Sequence, residues 1–174
     1  DPAENLAQFS LAVASKLLTG FFDAATFQRD PDLAAHRPRI VTSIAMFYDL
    51  QEPNKFVADV KAVMHPDGLW VVQMSYLPLM LKQNAFDNIC HEHLEYYSML
   101  SLANLLARHD FKIVDAELND VNGGSFRVYI QHDDPAFRVS ERVKTLQAAE
   151  KKLNLGKIKP YMDFAARVES ELGK

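Results

Sequence analysis

Between Asn88 and Ser98 the chain reads NICHEHLEYYS, a run that holds a thiol at Cys90, imidazoles at His91 and His93, carboxylates at Glu92 and Glu95, and phenols at Tyr96 and Tyr97. The whole chain has six histidines and one cysteine. These groups handle protons near neutral pH: an imidazole accepts one, a carboxylate orients it, and a phenol hydrogen-bonds to developing charge. Three readings of the run stand at this point. It is a proton-transfer site, or its histidines join a loop to a helix by hydrogen bonds, or Cys90, His91 and His93 are metal ligands. The residue types suit zinc, but the spacing matches neither H-E-x-x-H nor a paired-cysteine pattern, so no metal is expected in this segment. Tyr96 and Tyr97 stand just ahead of a helix start, where an aromatic residue either supplies its hydroxyl or packs.

The flanking elements must position this run. Glu4 to Leu18 carries apolar residues at helical spacing and stops at Gly20; GFFDAATF reads as a brief strand or turn ending at Asp23, then a helical turn. The run from Arg39 to Phe47 is apolar without alternation, as expected of a strand covered on both faces by helices. Phe56, Val57, Val60, Val63 and Met64 then recur at helical spacing, Pro66 to Gly68 turn the chain, and LWVVQMSY forms a second strand. Strand, helix, strand is the unit of a parallel sheet. Ser98 is a plausible N-cap for a third helix running to His109 and Asp110, before the strand FKIVDAEL. Asn122, Gly123 and Gly124 lead into SFRVYIQH, which completes an antiparallel ribbon at one side of the sheet. The paired glycines permit positive φ in a tight or bulged connection, or bring bare backbone close to a ligand. After Asp133, sparse apolar positions among charges predict two helices, the first starting near Phe137 and broken from the second near Gly156 and Pro160.

With 174 residues, 48% hydrophobic and 24% charged, the chain has the composition of an ordinary globular domain. A net charge of -4 gives no reason to expect nucleic acid, a single cysteine excludes an internal disulfide, and no long uncharged apolar run suggests a membrane span. A cytoplasmic location fits best. The opening DPAENLA, without an initiator methionine, looks like the end of a strand turning into a helix, so the chain is expected to be a piece of a longer protein.

The segments SIAMFYDLQEP, HPDGLWVVQMSYLPLML, FDNICHEHLEYYS and RHDFKIVDAELNDVNGGSFRVYI together resemble the C-methyltransferases of nucleotide-linked deoxysugars, within the class I S-adenosylmethionine-dependent methyltransferases. The resemblance covers most of the chain from Asp1 to about His132. It implies an α/β, Rossmann-like sheet, mostly parallel with a terminal antiparallel strand pair, followed by C-terminal helices. Residues 1–133 correspond to the C-terminal part of the methyltransferase domain and 134–174 to the helical start of a further domain. The family's N-terminal zinc module and Gly-rich cofactor turn have no counterpart here.

The resemblance also implies chemistry. S-adenosylmethionine would methylate a keto-sugar nucleotide through an enolate, leaving S-adenosylhomocysteine. Glu92 and His93 match the family's acid/base pair, with His91 beside them. Asp1 matches the acidic residue that holds the cofactor ribose, and Asp23 either faces the adenine or is a solvated turn residue. Ala45 and Met46 lie at a strand end facing the cofactor, although Met46 and Phe47 fit a core equally well. Tyr48, Asp49, Tyr96 and Arg127 fall on the substrate side. Arg127 either reaches a phosphate or is an edge-strand charge that discourages pairing. Two departures stand out: Cys90 occupies the place of a family tyrosine, and Tyr48 or Asp49 that of a histidine. The alternatives are an inactive or partner-dependent fragment, pairing as a homo-oligomer through exposed sheet edges, and more distantly a metal-dependent hydrolase centred on Cys90 and His93.

Overall fold

The computed structural model describes residues 3–173, so Asp1 and its expected ribose contact lie outside the described residues. The expected helix from Glu4 to Leu18 is shorter: a 3-10 turn leads into α1 (Ala7–Leu11), which ends there. Phe9, Leu11 and Val13 remain exposed, and a helix this short gains little without a partner surface. No strand forms at GFF; the chain enters α2 (Ala24–Arg29) and then α3 (Pro31–Ala35). Asp23 and Asp30 are their N-caps.

The β-branched run after Arg39 forms β1 (Ile40–Ile44), followed by α4 (Pro53–Val63), β2 (Leu69–Ser75) and α5 (Leu77–Gln83). Then come α6 (Met99–Ala107), β3 (Phe111–Asn119), β4 (Ser125–His132), α7 (Glu141–Leu153) and α8 (Lys159–Leu172). The sheet order is β1-β2-β4-β3. β1 and β2 are parallel, whereas β4 lies antiparallel between β2 and β3, so it alone runs against the other three. Asn122, Gly123 and Gly124 all take positive φ in the β3–β4 connection, which explains N-G-G there. A Cβ on Gly124 would also meet Leu79 at 3.0 Å.

One face of the sheet carries Trp70, Val72, Met74, Phe126, Val128 and Ile130, which pack with Val57 and Val60 of α4 and Leu102 and Leu106 of α6. The opposite face differs from expectation. Ile40 is 68% and Ile44 49% exposed, and β1 pairs only with β2 among the described residues. An apolar run signals that a strand is to be covered, without supplying what covers it. No helix among the described residues is long and apolar enough to cross a membrane.

The C-terminal helices join this core. α7 starts at Glu141 on the Ser140 N-cap, four residues after the expected Phe137. Ser140 Oγ donates to Asp115 Oδ1 at 2.6 Å, and Arg142 pairs with the same carboxylate. Farther along α7, Glu150 is 1% exposed; it accepts from the Tyr76 hydroxyl at 2.6 Å and from the first two backbone N–H groups of α6, Met99 at 2.5 Å and Leu100 at 2.9 Å. A carboxylate at a helix N-terminus satisfies donors that the helix cannot satisfy itself and meets the positive end of its dipole. Ser98 and Ser101 complete the start of α6 as a reciprocal capping box. Asn154, with φ 53°, closes α7, and Pro160 stands in the first turn of α8, as the expected break required. α8 sets Phe164 against Met80 and Leu81 of α5 in a second small core.

Two stability predictions follow from these contacts. Glu150→Ala leaves two buried donors, on Tyr76 and Met99, unpaired, each costing about 1–3 kcal/mol, so urea denaturation is expected to show a loss of at least about 2 kcal/mol, with Glu150→Gln in between. Arg142 and Ser140 hold the Asp115 carboxyl down at about 2. Its contribution is therefore present above the ordinary carboxylate range and is lost as pH falls towards 2; because Arg142 is exposed, it amounts to about 1 kcal/mol. Asp115→Asn should remove that acid dependence from the denaturation curves between pH 4 and 2; a parallel slope in both proteins would contradict it.

Candidate active site

The end of β1 builds the site. Ala45 takes φ 52°, and its N–H donates to the Gln73 carbonyl at 2.9 Å, which ends the strand against β2. The next residues form a single 3-10 turn, Phe47–Asp49. Phe47 is fully buried, with its ring 5.9 Å from Phe56, 5.8 Å from Trp70 and 5.3 Å from Tyr97, so the turn is anchored through its first side chain. Tyr48 is also buried, whereas Asp49 is exposed.

The Tyr48 carbonyl accepts from the N–H groups of Leu94 and Glu95, both at 3.0 Å, and so ties the NICHEHLEYYS loop to the end of β1. Within the loop, His93 Nδ1 lies 2.8 Å from the Asn88 carbonyl oxygen. A carbonyl only accepts, so this nitrogen carries the proton and Nε2 is left as the basic atom. The Tyr96 hydroxyl donates to the same carbonyl at 3.3 Å. Asn88 is itself held: its side-chain oxygen accepts from Ser75 Oγ at 3.4 Å and its amide donates to the Ala85 carbonyl at 3.4 Å. The imidazole rests on the Tyr48 ring with centroids 4.4 Å apart.

The charges nearby are tuned by burial first. Desolvation raises the Asp49 carboxyl above its ordinary range; His93 pulls it down and Glu92 pushes it up. Burial, then Asp49 and Cys90, raise the Tyr48 hydroxyl. Burial and Cys90 likewise raise Tyr96, against a hydrogen bond from the Cys90 backbone.

The structure therefore brings together Tyr48, Asp49, Cys90, His93 and Tyr96. His91 and Glu92 are different: their side chains are 92% and 74% exposed, 3.9 Å from each other. The Asn88 carbonyl orients the His93 ring through Nδ1, and the Glu92 carboxylate is turned to solvent beside His91. Cys90, His91 and His93 do not converge, and no group of three such residues suited to a metal occurs among the described residues. Asp23 is committed to α2: its oxygens accept from Thr26 N at 2.8 Å and Thr26 Oγ1 at 2.7 Å. Arg127 sits on β4, an inner strand, which removes the edge-charge reading. It donates to Gln73 Oε1 at 2.8 Å and Glu117 Oε1 at 3.1 Å, on the face that carries Ile44. Tyr97 packs against Phe47 in the core.

Two grooves are lined by chain neighbours of the Tyr48–His93 pair, Asp49 in one and Leu94 in the other. One, of about 610 Å³, is lined by Phe21, Phe22, Ile44, Met46, Asp49 and Leu50. The other, of about 420 Å³, is lined by Ile89, Leu94, Glu95 and Tyr96 and by Tyr161 and Phe164 of α8. Asn88 escaped sequence reading because its contribution is a main-chain oxygen. Tyr161 and Phe164 left a usable trace as aromatic residues three apart on a charged helix.

Comparison with known proteins bears on the family and the fold. Residues 4–116 match a methyltransferase domain family, and residues 120–172 match the C-methyltransferase C-terminal domain. C-methyltransferase NovU of Streptomyces niveus is 31% identical over 171 residues, covering 97% of this chain and 40% of that protein. The chain thus spans well under half the length of that curated relative. A methyltransferase solved with the Haloferax volcanii Trm112 methyltransferase activator is similar at TM-score 0.59 and 12% identity, over 77% of this chain and 70% of that one. A SAM-dependent methyltransferase from Thermotoga maritima is similar at TM-score 0.54 and 11% identity, over 77% and 71%. At these identities the two structures show the fold alone.

The hydrogen bond to Asn88 makes a spectroscopic prediction: in nitrogen-15 spectra above the imidazole titration, His93 should appear as the Nδ1–H tautomer. A ring protonated on Nε2 would contradict the geometry.

Proposed function

This chain belongs to the class I S-adenosylmethionine-dependent C-methyltransferase family, and on that premise we propose that its protein methylates a carbon next to the ketone of a nucleotide-linked sugar. The observation that carries the reading is the oriented imidazole of His93, held through Nδ1 and set against the Tyr48 ring, with Asp49 of the larger groove and Leu94 of the smaller as chain neighbours of that pair. Carbon methylation needs a proton removed beside a carbonyl before the carbon becomes nucleophilic, and histidine is suited to that near neutral pH. His93 Nε2 accepts that proton, the Asn88 carbonyl steadies the imidazolium through Nδ1–H, and Tyr48 supports the ring from below.

The larger groove suits the cofactor. Phe22, Met46 and Leu50 offer apolar walls to an adenine and a thioether chain, and Asp49 a polar rim. When bound, S-adenosylmethionine supplies a methyl group on a cationic sulfur and leaves as S-adenosylhomocysteine. Ala45 adjoins this groove with an exposed, left-handed backbone, and Asp23 follows Phe22 at its margin. The smaller groove, with Tyr96, Tyr161 and Phe164, receives the acceptor, while Arg127 lies on the sheet face of Ile44, paired with Glu117. Ring faces of this kind stack on planar or apolar groups.

The open edge of β1 favours a second reading, in which the isolated chain binds cofactor only when another strand or a second copy covers Ile40 and Ile44. Titration with S-adenosylhomocysteine by calorimetry separates the two: binding by the monomeric chain supports the first, and binding only by an associated form supports the second. In the full-length protein, His93→Ala should lower methyl transfer by roughly 10²–10⁴-fold while leaving S-adenosylhomocysteine affinity unchanged. Turnover at the unsubstituted rate would remove His93 from the role of base.

A further inference from the structure

We propose that the Tyr48 hydroxyl donates the hydrogen bond that stabilises the oxyanion formed when His93 removes the proton, which makes Tyr48 a second catalytic residue; this rests on the proton-abstraction reading above. In that step the C–H bond breaks and its proton goes to Nε2. The electron pair enters a carbon–carbon double bond, and the carbonyl π pair moves onto oxygen. Charge thus develops on an atom that His93 does not touch, and a preorganised donor there lowers the barrier more than any added binding of the ground state.

The candidate donors around His93 are not equivalent. Tyr96 spends its hydroxyl proton on the Asn88 carbonyl, and the Asn88 amide donates to the Ala85 carbonyl. Cys90 offers only a weak S–H donor. Tyr97 sets its ring edge-on to Phe47 in the core. Tyr48 is the aromatic residue whose ring lies against the imidazole, with centroids 4.4 Å apart, and burial and neighbouring charge, with no hydrogen bond, set the state of its hydroxyl. Its position is fixed from both directions: Phe47 is locked in the core, and the Tyr48 carbonyl holds Leu94 and Glu95. Burial and the neighbouring Asp49 and Cys90 keep the phenol protonated, and hence a donor, through the neutral range.

The test needs no methyl donor. In the full-length protein, exchange of the hydrogen beside the carbonyl of a thymidine-diphosphate-linked 4-keto-6-deoxysugar is followed in D₂O by mass spectrometry, without S-adenosylmethionine. Tyr48→Phe keeps the ring under His93 and should slow saturated exchange by about 10²–10³-fold with KM little changed. Tyr97→Phe should exchange at the unsubstituted rate. If Tyr48→Phe also exchanges at that rate while His93→Ala does not exchange, the oxyanion role is overturned and the base survives. If His93→Ala exchanges normally, or the unsubstituted protein does not exchange this probe at all, the proton-abstraction reading falls and takes this inference with it.

Discussion

One buried carboxylate holds the two halves of this molecule in register. Glu150, from the C-terminal helices, receives hydrogen bonds from Tyr76 at the end of β2 and from Met99 and Leu100 at the start of α6. The segment between Tyr76 and Met99 contains α5 and the whole loop that carries Asn88, His93 and Tyr96. Both ends of the site segment are thus fastened to the same two oxygens. The arrangement succeeds because three donors surround the carboxylate, so desolvation is offset by charge-assisted bonds and by the helix dipole. It also raises the Tyr76 hydroxyl far above its ordinary value, chiefly through burial and then through the bond to Glu150, which keeps that proton in place.

From this fastening the rest follows in sequence along the chain. The loop is fixed at its ends by Glu150 and in its middle by the Tyr48 carbonyl, so the imidazole is set by main-chain hydrogen bonds rather than by a neighbouring charge. A main-chain acceptor costs no side-chain ordering and does not titrate. Glu92 is exposed, while Asp49 and Tyr48, at the end of β1, lie near the ring.

Much of this was legible locally. The β2 run, the Val57/Val60/Val63 stripe of α4, the Ser98 cap and the left-handed Asn-Gly-Gly turn each declare themselves within a few residues, and each forms as read. What escaped was nonlocal. Nothing near Glu150 in the sequence distinguishes it from the solvated Glu141 at the start of the same helix, because its partners lie about fifty and more residues away. β1 reads as a doubly covered strand because its residues are apolar, yet burial is a property of neighbours. Arg127 was ambiguous for the same reason: strand position in a sheet follows from topology, and only the order β1-β2-β4-β3 places it on an inner strand. At the site, His93 was visible by residue type, whereas its orienting partner was a carbonyl, which every residue has.

The reversed strand has a consequence for biogenesis. Among the described strands β4 is the last in chain order, yet it is the one that joins β2 to β3, with Ser75 opposite Ser125 and Trp70 opposite Ile130. Until it emerges from the ribosome, β2 presents an open edge and β3 has no place in the sheet. The β3–β4 hairpin is local and closes quickly, but its docking onto β2 must bridge a long stretch of chain and is the slow step of assembly. Glu150 follows β4 in the chain, so the carboxylate that fastens the site loop is made after the described strands of the sheet.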